Sequence, residues 1–114
     1  MLDTHHHLWS YNPDDYPWIP ANTPLAQNHL LVELEEATSL AGVTGTIAVQ
    51  ARQTTEESAS LLKIAHQSDL IRGVVGWIPL VSENVDEDLE LFSDNPKFVG
   101  IRHVLQDEPD AYFL

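Results

Sequence analysis

Apolar stretches of strand length alternate along the chain with stretches whose apolar positions recur at helical spacing. Residues 2–8 read as a short first strand. Proline then recurs at Pro13, Pro17, Pro20 and Pro24, which excludes a helix interior or an inner strand and predicts a long loop over 12–24. Leu30, Leu31, Leu34, Ala37 and Ala41 follow at helical spacing, with Gly42 placed as a C-terminal cap. Residues 45–51 (GTIAVQA) form a compact β-branched run and predict a second strand. Thr54 with Glu57 three positions later is a capping-box signature, and it opens a helix whose buried stripe is Ser58, Leu61, Leu62 and Ala65. Residues 73–79 (GVVGWIP) predict a third strand. Asn84 and Glu87 repeat the capping signature ahead of Val85, Leu89 and Phe92, and residues 98–105 (FVGIRHVL) predict a fourth strand.

The central runs are too apolar for strands exposed on one side, so the alternation predicts a parallel sheet flanked by helices. Residues 1–114 are expected to form one α/β domain, the N-terminal half (about four β/α units) of a parallel β/α barrel, because no fourth helix follows strand four; an open four-stranded sheet is the alternative. In strand two, alternation groups Thr46, Ala48 and Gln50 on one face. We assign that face to the barrel interior and Ile47 and Val49 to the helices.

Composition narrows the partners. With 43% hydrophobic residues among 114, the chain has material for a packed core. It has no cysteine, which excludes disulfides and thiolate metal sites, and no signal peptide or membrane span is visible, so the expected location is cytoplasmic. Eighteen acidic residues against five basic ones give a net charge of -13, which argues against nucleic acid as a partner. The acidic runs at 33–36 and 86–90 read as solvated helix faces.

The most informative stretch for chemistry is Asp3-Thr4-His5-His6-His7. Side chains alternate along a strand, so His5 and His7 share one face and His6 takes the other. Two imidazoles so placed can share a divalent metal or clamp one substrate, at the strand end where β/α barrels carry their active sites; buried hydrogen-bonded histidines are the alternative. Gln50 either reaches the pocket mouth or caps its strand. Trp77, sharing a face with Gly73 and Val75, forms a pocket wall for a ring or belongs to the core. Arg102 and His103 point opposite ways in a regular strand, so both enter one site only where the strand gives way to its loop. Arg102 beside Gly100 offers paired donors to a carboxylate or hydroxyl-rich ligand, with a surface ion pair as the alternative. Trp9, Tyr11, Tyr16 and Trp18 among the prolines make a rigid aromatic loop that roofs the pocket or packs across its mouth. His29 and His66 are assigned to helices away from the site. No phosphate-binding loop, nucleophile elbow or paired-carboxylate arrangement is present.

Read together, DTHHHLW, Tyr16-Pro17-Trp18-Ile19, AGVTGTIAVQA, GVVGWIPL and FVGIRHVLQDEP closely resemble the amidohydrolase-related family of sugar lactonases, including L-fuconolactonase-like and L-rhamnonolactonase-like enzymes, over nearly the whole chain. The resemblance implies a TIM-type (β/α)8 barrel and hydrolysis of a small-molecule lactone to its hydroxy acid by the full-length protein. It implies that His5 and His7 are the catalytic HxH pair and ligands of a divalent ion, zinc before others, with a further histidine and an aspartate beyond Leu114. Some relatives use the same histidines without a metal, so a metal-independent route stays open. It also places Arg102 and His103 in contact with substrate. The competing expectations are a non-catalytic half barrel acting in binding or assembly, including a homo-oligomer, and a related hydrolase or decarboxylase acting on another small carboxylic compound.

Overall fold

Four strands alternate with three helices in the computed structural model, which describes residues 1–105, 108 and 109. In chain order they are β1 (Leu2–His6), α1 (Leu31–Ala41), β2 (Gly45–Val49), α2 (Thr55–His66), β3 (Ile71–Gly76), α3 (Val85–Ser93) and β4 (Phe98–Ile101). The strands form one sheet in the order β1-β2-β3-β4, and every neighbouring pair is parallel. Doubly wound sheets reverse their strand order and carry helices on both faces. Here the order never reverses, and Leu34 of α1, Leu61 and Leu62 of α2 and Phe92 of α3 join one core cluster with Ala48, Ile71 and Val74. All three helices therefore cover one face, which is the architecture of successive β/α units in a barrel.

Helix α2 shows most directly how sequence sets local structure. The Thr54 hydroxyl oxygen accepts the Glu57 N–H at 3.1 Å, and Ser58, Leu61, Leu62 and Ala65 are all buried. The reciprocal half of the expected box does not form, because the Glu57 carboxylate turns back to the Ala51 and Arg52 N–H groups. Helix α1 ends at Gly42, whose φ of 73° suits a residue without Cβ. Its inward face is Leu31, Leu34 and Thr38; Ala37 and Ala41 are exposed, contrary to the expected stripe. At α3 the Asn84 side chain makes no cap, and Leu89 is exposed while Phe92 is buried. His29 is not helical but pairs with Trp9 in an antiparallel bridge.

Strands β1, β2 and β4 stop short of the predicted spans, and β3 both begins and ends earlier. Side chains take over where the ladder ends. Trp77 N–H donates to Ser58 Oγ at 2.8 Å, and that hydroxyl donates to the Trp77 carbonyl at 2.7 Å. After Gln50 N–H has bonded to the Val75 carbonyl, the next two amides go to Glu57, and Val104 N–H goes to Gln53 Oε1 at 2.7 Å.

The structure inverts the expected faces of β2. Ala48 packs against the helices, while Ile47 and Val49 pair with Gly73 and Val75 on the opposite, open face. The reason is volume: leucines from α2 fill the helix layer and leave room for alanine, and the interiors of β/α barrels take bulky branched residues. Strand β4 departs from strict alternation. Phe98 and Ile101 both reach the helix-side core although they are three residues apart, and the pairing slips between Val74↔Phe98 and Val75↔Gly100. A bulge at Val99 and Gly100 absorbs the odd residue and returns Arg102 to the open side.

Candidate functional site

The C-terminal ends of the strands and the loop after β1 enclose a cleft of about 390 Å³. His7, Gln50 and Arg102 line its strand side, and Trp9, Trp18 and Leu25 its loop side. Three of the expected site residues thus meet in one place, each one residue past the end of a strand.

His5 and His7 do share a face: their rings meet edge to face with centroids 5.0 Å apart. His7 Nδ1 lies 2.9 Å from the Val49 carbonyl oxygen. A carbonyl only accepts, so Nδ1 carries the hydrogen and Nε2 keeps its lone pair for a ligand. Burial pushes the His7 pKa below the ordinary imidazole value; the Val49 carbonyl opposes this, and the neighbouring His5 and Arg102 reinforce it. The same tautomer control, a backbone carbonyl on the far nitrogen, is usual for metal-binding histidines. His6, in register with Ala48, has both ring nitrogens buried without a partner among the described residues, and burial also lowers its pKa against the opposing effect of Asp3.

Gln50 is fully buried. Its Nε2–H donates to the Arg52 carbonyl at 3.2 Å, Oε1 has no partner among the described residues, and the side chain forms part of the cleft wall with His7. Arg102 donates its backbone N–H to the Gly76 carbonyl, and its guanidinium has no carboxylate partner among the described residues. Among the described residues the surface ion pair considered as the alternative does not form.

Trp77 and His103 stand apart from that cleft and hold each other. The indole N–H donates to His103 Nδ1 at 2.9 Å, which leaves the hydrogen on Nε2, 2.9 Å from Glu108 Oε2. Among the described residues no three His, Cys, Asp or Glu side chains converge as a metal-binding group, and no helix is long and apolar enough to cross a membrane.

Sequence reasoning missed Glu57, Arg52 and Asp15. Both Glu57 oxygens accept the Arg52 N–H, and Oε1 also accepts Ala51 N–H, so a buried carboxylate shapes the turn that carries Gln50. The signal was present, since Thr54 and Glu57 were singled out, but only as a helix start.

The model of the amidohydrolase family matches residues 2–113. The chain belongs to the amidohydrolase family. Among curated relatives, an L-fucono-1,5-lactonase from Burkholderia multivorans is 38% identical over 111 residues, covering 96% of this chain and 37% of that protein. An L-fucono-1,5-lactonase from Burkholderia ambifaria is 33% identical over 110 residues, covering 96% of this chain and 38% of that protein. Two crystal structures of an amidohydrolase from Burkholderia multivorans, one with bound zinc and one with bound HEPES, each match with a TM-score of 0.88 at 38% identity, over 96% of this chain and 38% of theirs. The chain thus spans a little over a third of the length of the relatives it matches, and the amidohydrolase fold is theirs in these β/α units.

Proposed function

We propose that this chain supplies the first-to-fourth-strand share of the active site of a hydrolase that opens a sugar lactone to its hydroxy acid. The observation that carries the reading is the His5–His7 pair at the C-terminal end of β1, with the Val49 carbonyl fixing the tautomer of His7. The two L-fucono-1,5-lactonase relatives support the substrate class. His5 and His7 fit as two of the ligands of a divalent ion, and the zinc bound by the related crystal structure supports that assignment. Such an ion supplies Lewis-acid polarisation of the lactone carbonyl.

The chain's own groups do the rest of what these residues can do. The Arg102 guanidinium orients the substrate and meets the carboxylate that forms, with paired donors. Trp9 and Trp18 wall the cleft and limit water at the ring face, and the Trp77–His103 pair presents a second preset surface at the ends of β3 and β4. In the reaction the oxygen of water bonds to the carbonyl carbon and the ring C–O bond breaks. The former ring oxygen leaves as the hydroxyl of the product.

The test is acid release from an L-fucono-1,5-lactone solution by the full-length protein, beside elemental analysis. His7→Ala is expected to lose on the order of 10²–10³-fold in kcat/KM, the scale for removing a group that stabilises charge on the carbonyl oxygen, while the fold persists. Zinc content should fall with it. Wild-type turnover in that variant would sink the proposal.

A further inference from the structure

The loop between β1 and α1 supplies both indoles of the cleft, yet the hydrogen bonds of its middle reach the rest of the molecule at few points. Among the described residues, the hydrogen bonds of 10–28 stay within the loop: Tyr16 and Asp15 N–H to Asn12, Ile19 N–H to Tyr16, Tyr11 N–H to Asn28, and Ala26 N–H to Thr23. At its base Trp9 and His29 exchange backbone bonds. One bond leaves the loop, from Arg52 Nη2 to Asp15 Oδ1 at 3.3 Å. The same guanidinium lies 5.9 Å from the centroid of the Tyr16 ring, and Tyr16 is buried with Trp9 and Ile19 in a small apolar cluster against which Ala51, just past β2, also packs.

Arg52 is itself firmly held. Its N–H is accepted by both oxygens of the buried Glu57, and its carbonyl accepts Gln50 Nε2–H. Glu57 sits in the first turn of α2, so the arginine grows from a fixed point on the helix layer. The ion pair, by contrast, is partly open to water, with side-chain exposures of 32% and 39%. Exposed pairs add little to global stability, but one weighs more on the local position of a segment whose middle, among the described residues, makes no other hydrogen bond to the rest of the molecule.

We propose that Arg52 is a positioning residue: anchored by Glu57, it latches the aromatic loop through Asp15 and Tyr16 and so sets where Trp9 and Trp18 stand in the cleft. Loss of the latch frees the loop without disturbing the sheet. Only the kinetic part of this inference rests on the lactonase reading.

Hydrogen exchange of the full-length protein, read by peptide mass, tests the latch directly. Arg52→Ala and Asp15→Asn should each speed exchange over 10–28 about fivefold, the scale of one exposed ion pair, and leave β2, β3 and β4 unchanged. Asp14→Asn removes the same charge next door and should leave the loop as it is. The double variant should exchange no faster than Arg52→Ala alone, and Arg52→Lys, which keeps the charge but not the planar stacking, should recover part of the protection. In turnover of the lactone, Arg52→Ala should raise KM about fivefold with kcat changed less than about twofold. Unchanged exchange in both single variants, or additive effects in the double one, overturns the latch. Absence of turnover in the wild-type protein overturns the lactonase reading instead, and the exchange pattern still decides the latch.

Discussion

Two cations bracket β4, and they live differently. Lys97, just before the strand, donates from Nζ to the carbonyl oxygens of Ala65, Ser68 and Ile71, gathering the end of α2, the turn after it and the start of β3. Arg102, just after the strand, lines a cleft and has no carboxylate among the described residues. An ammonium with three rotatable donors suits the converging carbonyls of a helix C-terminus, and a planar fork suits a carboxylate or vicinal hydroxyls. The difference divides the sheet by labour. At the N-terminal edge of the strands the Lys97 ammonium is consumed internally and holds the fold, whereas at the C-terminal edge His7 Nε2 and the Arg102 guanidinium meet no such partner among the described residues.

The largest effect that tests this division is expected at Lys97. Lys97→Met keeps the stem but orphans three carbonyls, and should cost about 3 kcal/mol in urea denaturation, with kcat/KM per folded molecule unchanged. A stability change within about 0.5 kcal/mol would erase the contrast. At the other end the pattern should reverse. Arg102→Lys is expected to lose about 10- to 100-fold in kcat/KM because one point charge replaces a paired donor, while stability stays within about 0.5 kcal/mol. Equal kinetics in that variant would remove Arg102 from the site.

The smallest effect sharpens the comparison, since Glu57 is a structural group placed at the functional edge. Burial raises its pKa above 4.5, against the opposing bonds from the Arg52 and Ala51 N–H groups and the charge of Arg52. A carboxyl whose folded pKa is raised contributes stability that is complete below its unfolded value and is lost as pH rises through the folded one. Glu57→Gln removes that dependence. Its deficit against wild type, followed as urea midpoints over a pH series, should therefore be greatest in acid and shrink as pH rises; a deficit that grows with pH would show the opposite shift.

What the sequence made legible was periodic. The α2 stripe, the Gly42 cap and the shared face of His5 and His7 follow from counting residues, and each stands in the structure. Strand ends were not legible, because Ser58, Glu57 and Gln53 relieve the ladder from positions 19, 6 and 51 residues away from the amides they receive. The facing of β2 failed for a different reason. Alternation gives two sets of residues but not which set meets the helices, and choosing the polar and small set for the interior ignored that leucines of α2 already fill the other side. The Arg52–Asp15 pair joins residues 37 apart between two loops, and no local pattern announces it.

The bulge in β4 has a consequence for sequence length. Because Val99 and Gly100 together occupy one step of alternation, the strand holds a residue of slack: removing one of them would leave Phe98 and Ile101 on the helices and Arg102 on the cleft. The same deletion inside β2, where Ile47 to Val49 pair in step with Gly73 to Val75, would turn every later side chain of that strand over against its neighbour. Insertions and deletions among relatives of this chain should accordingly gather at 99–100 and spare 47–49, a length signature that marks where the backbone, not any single side chain, aims the arginine.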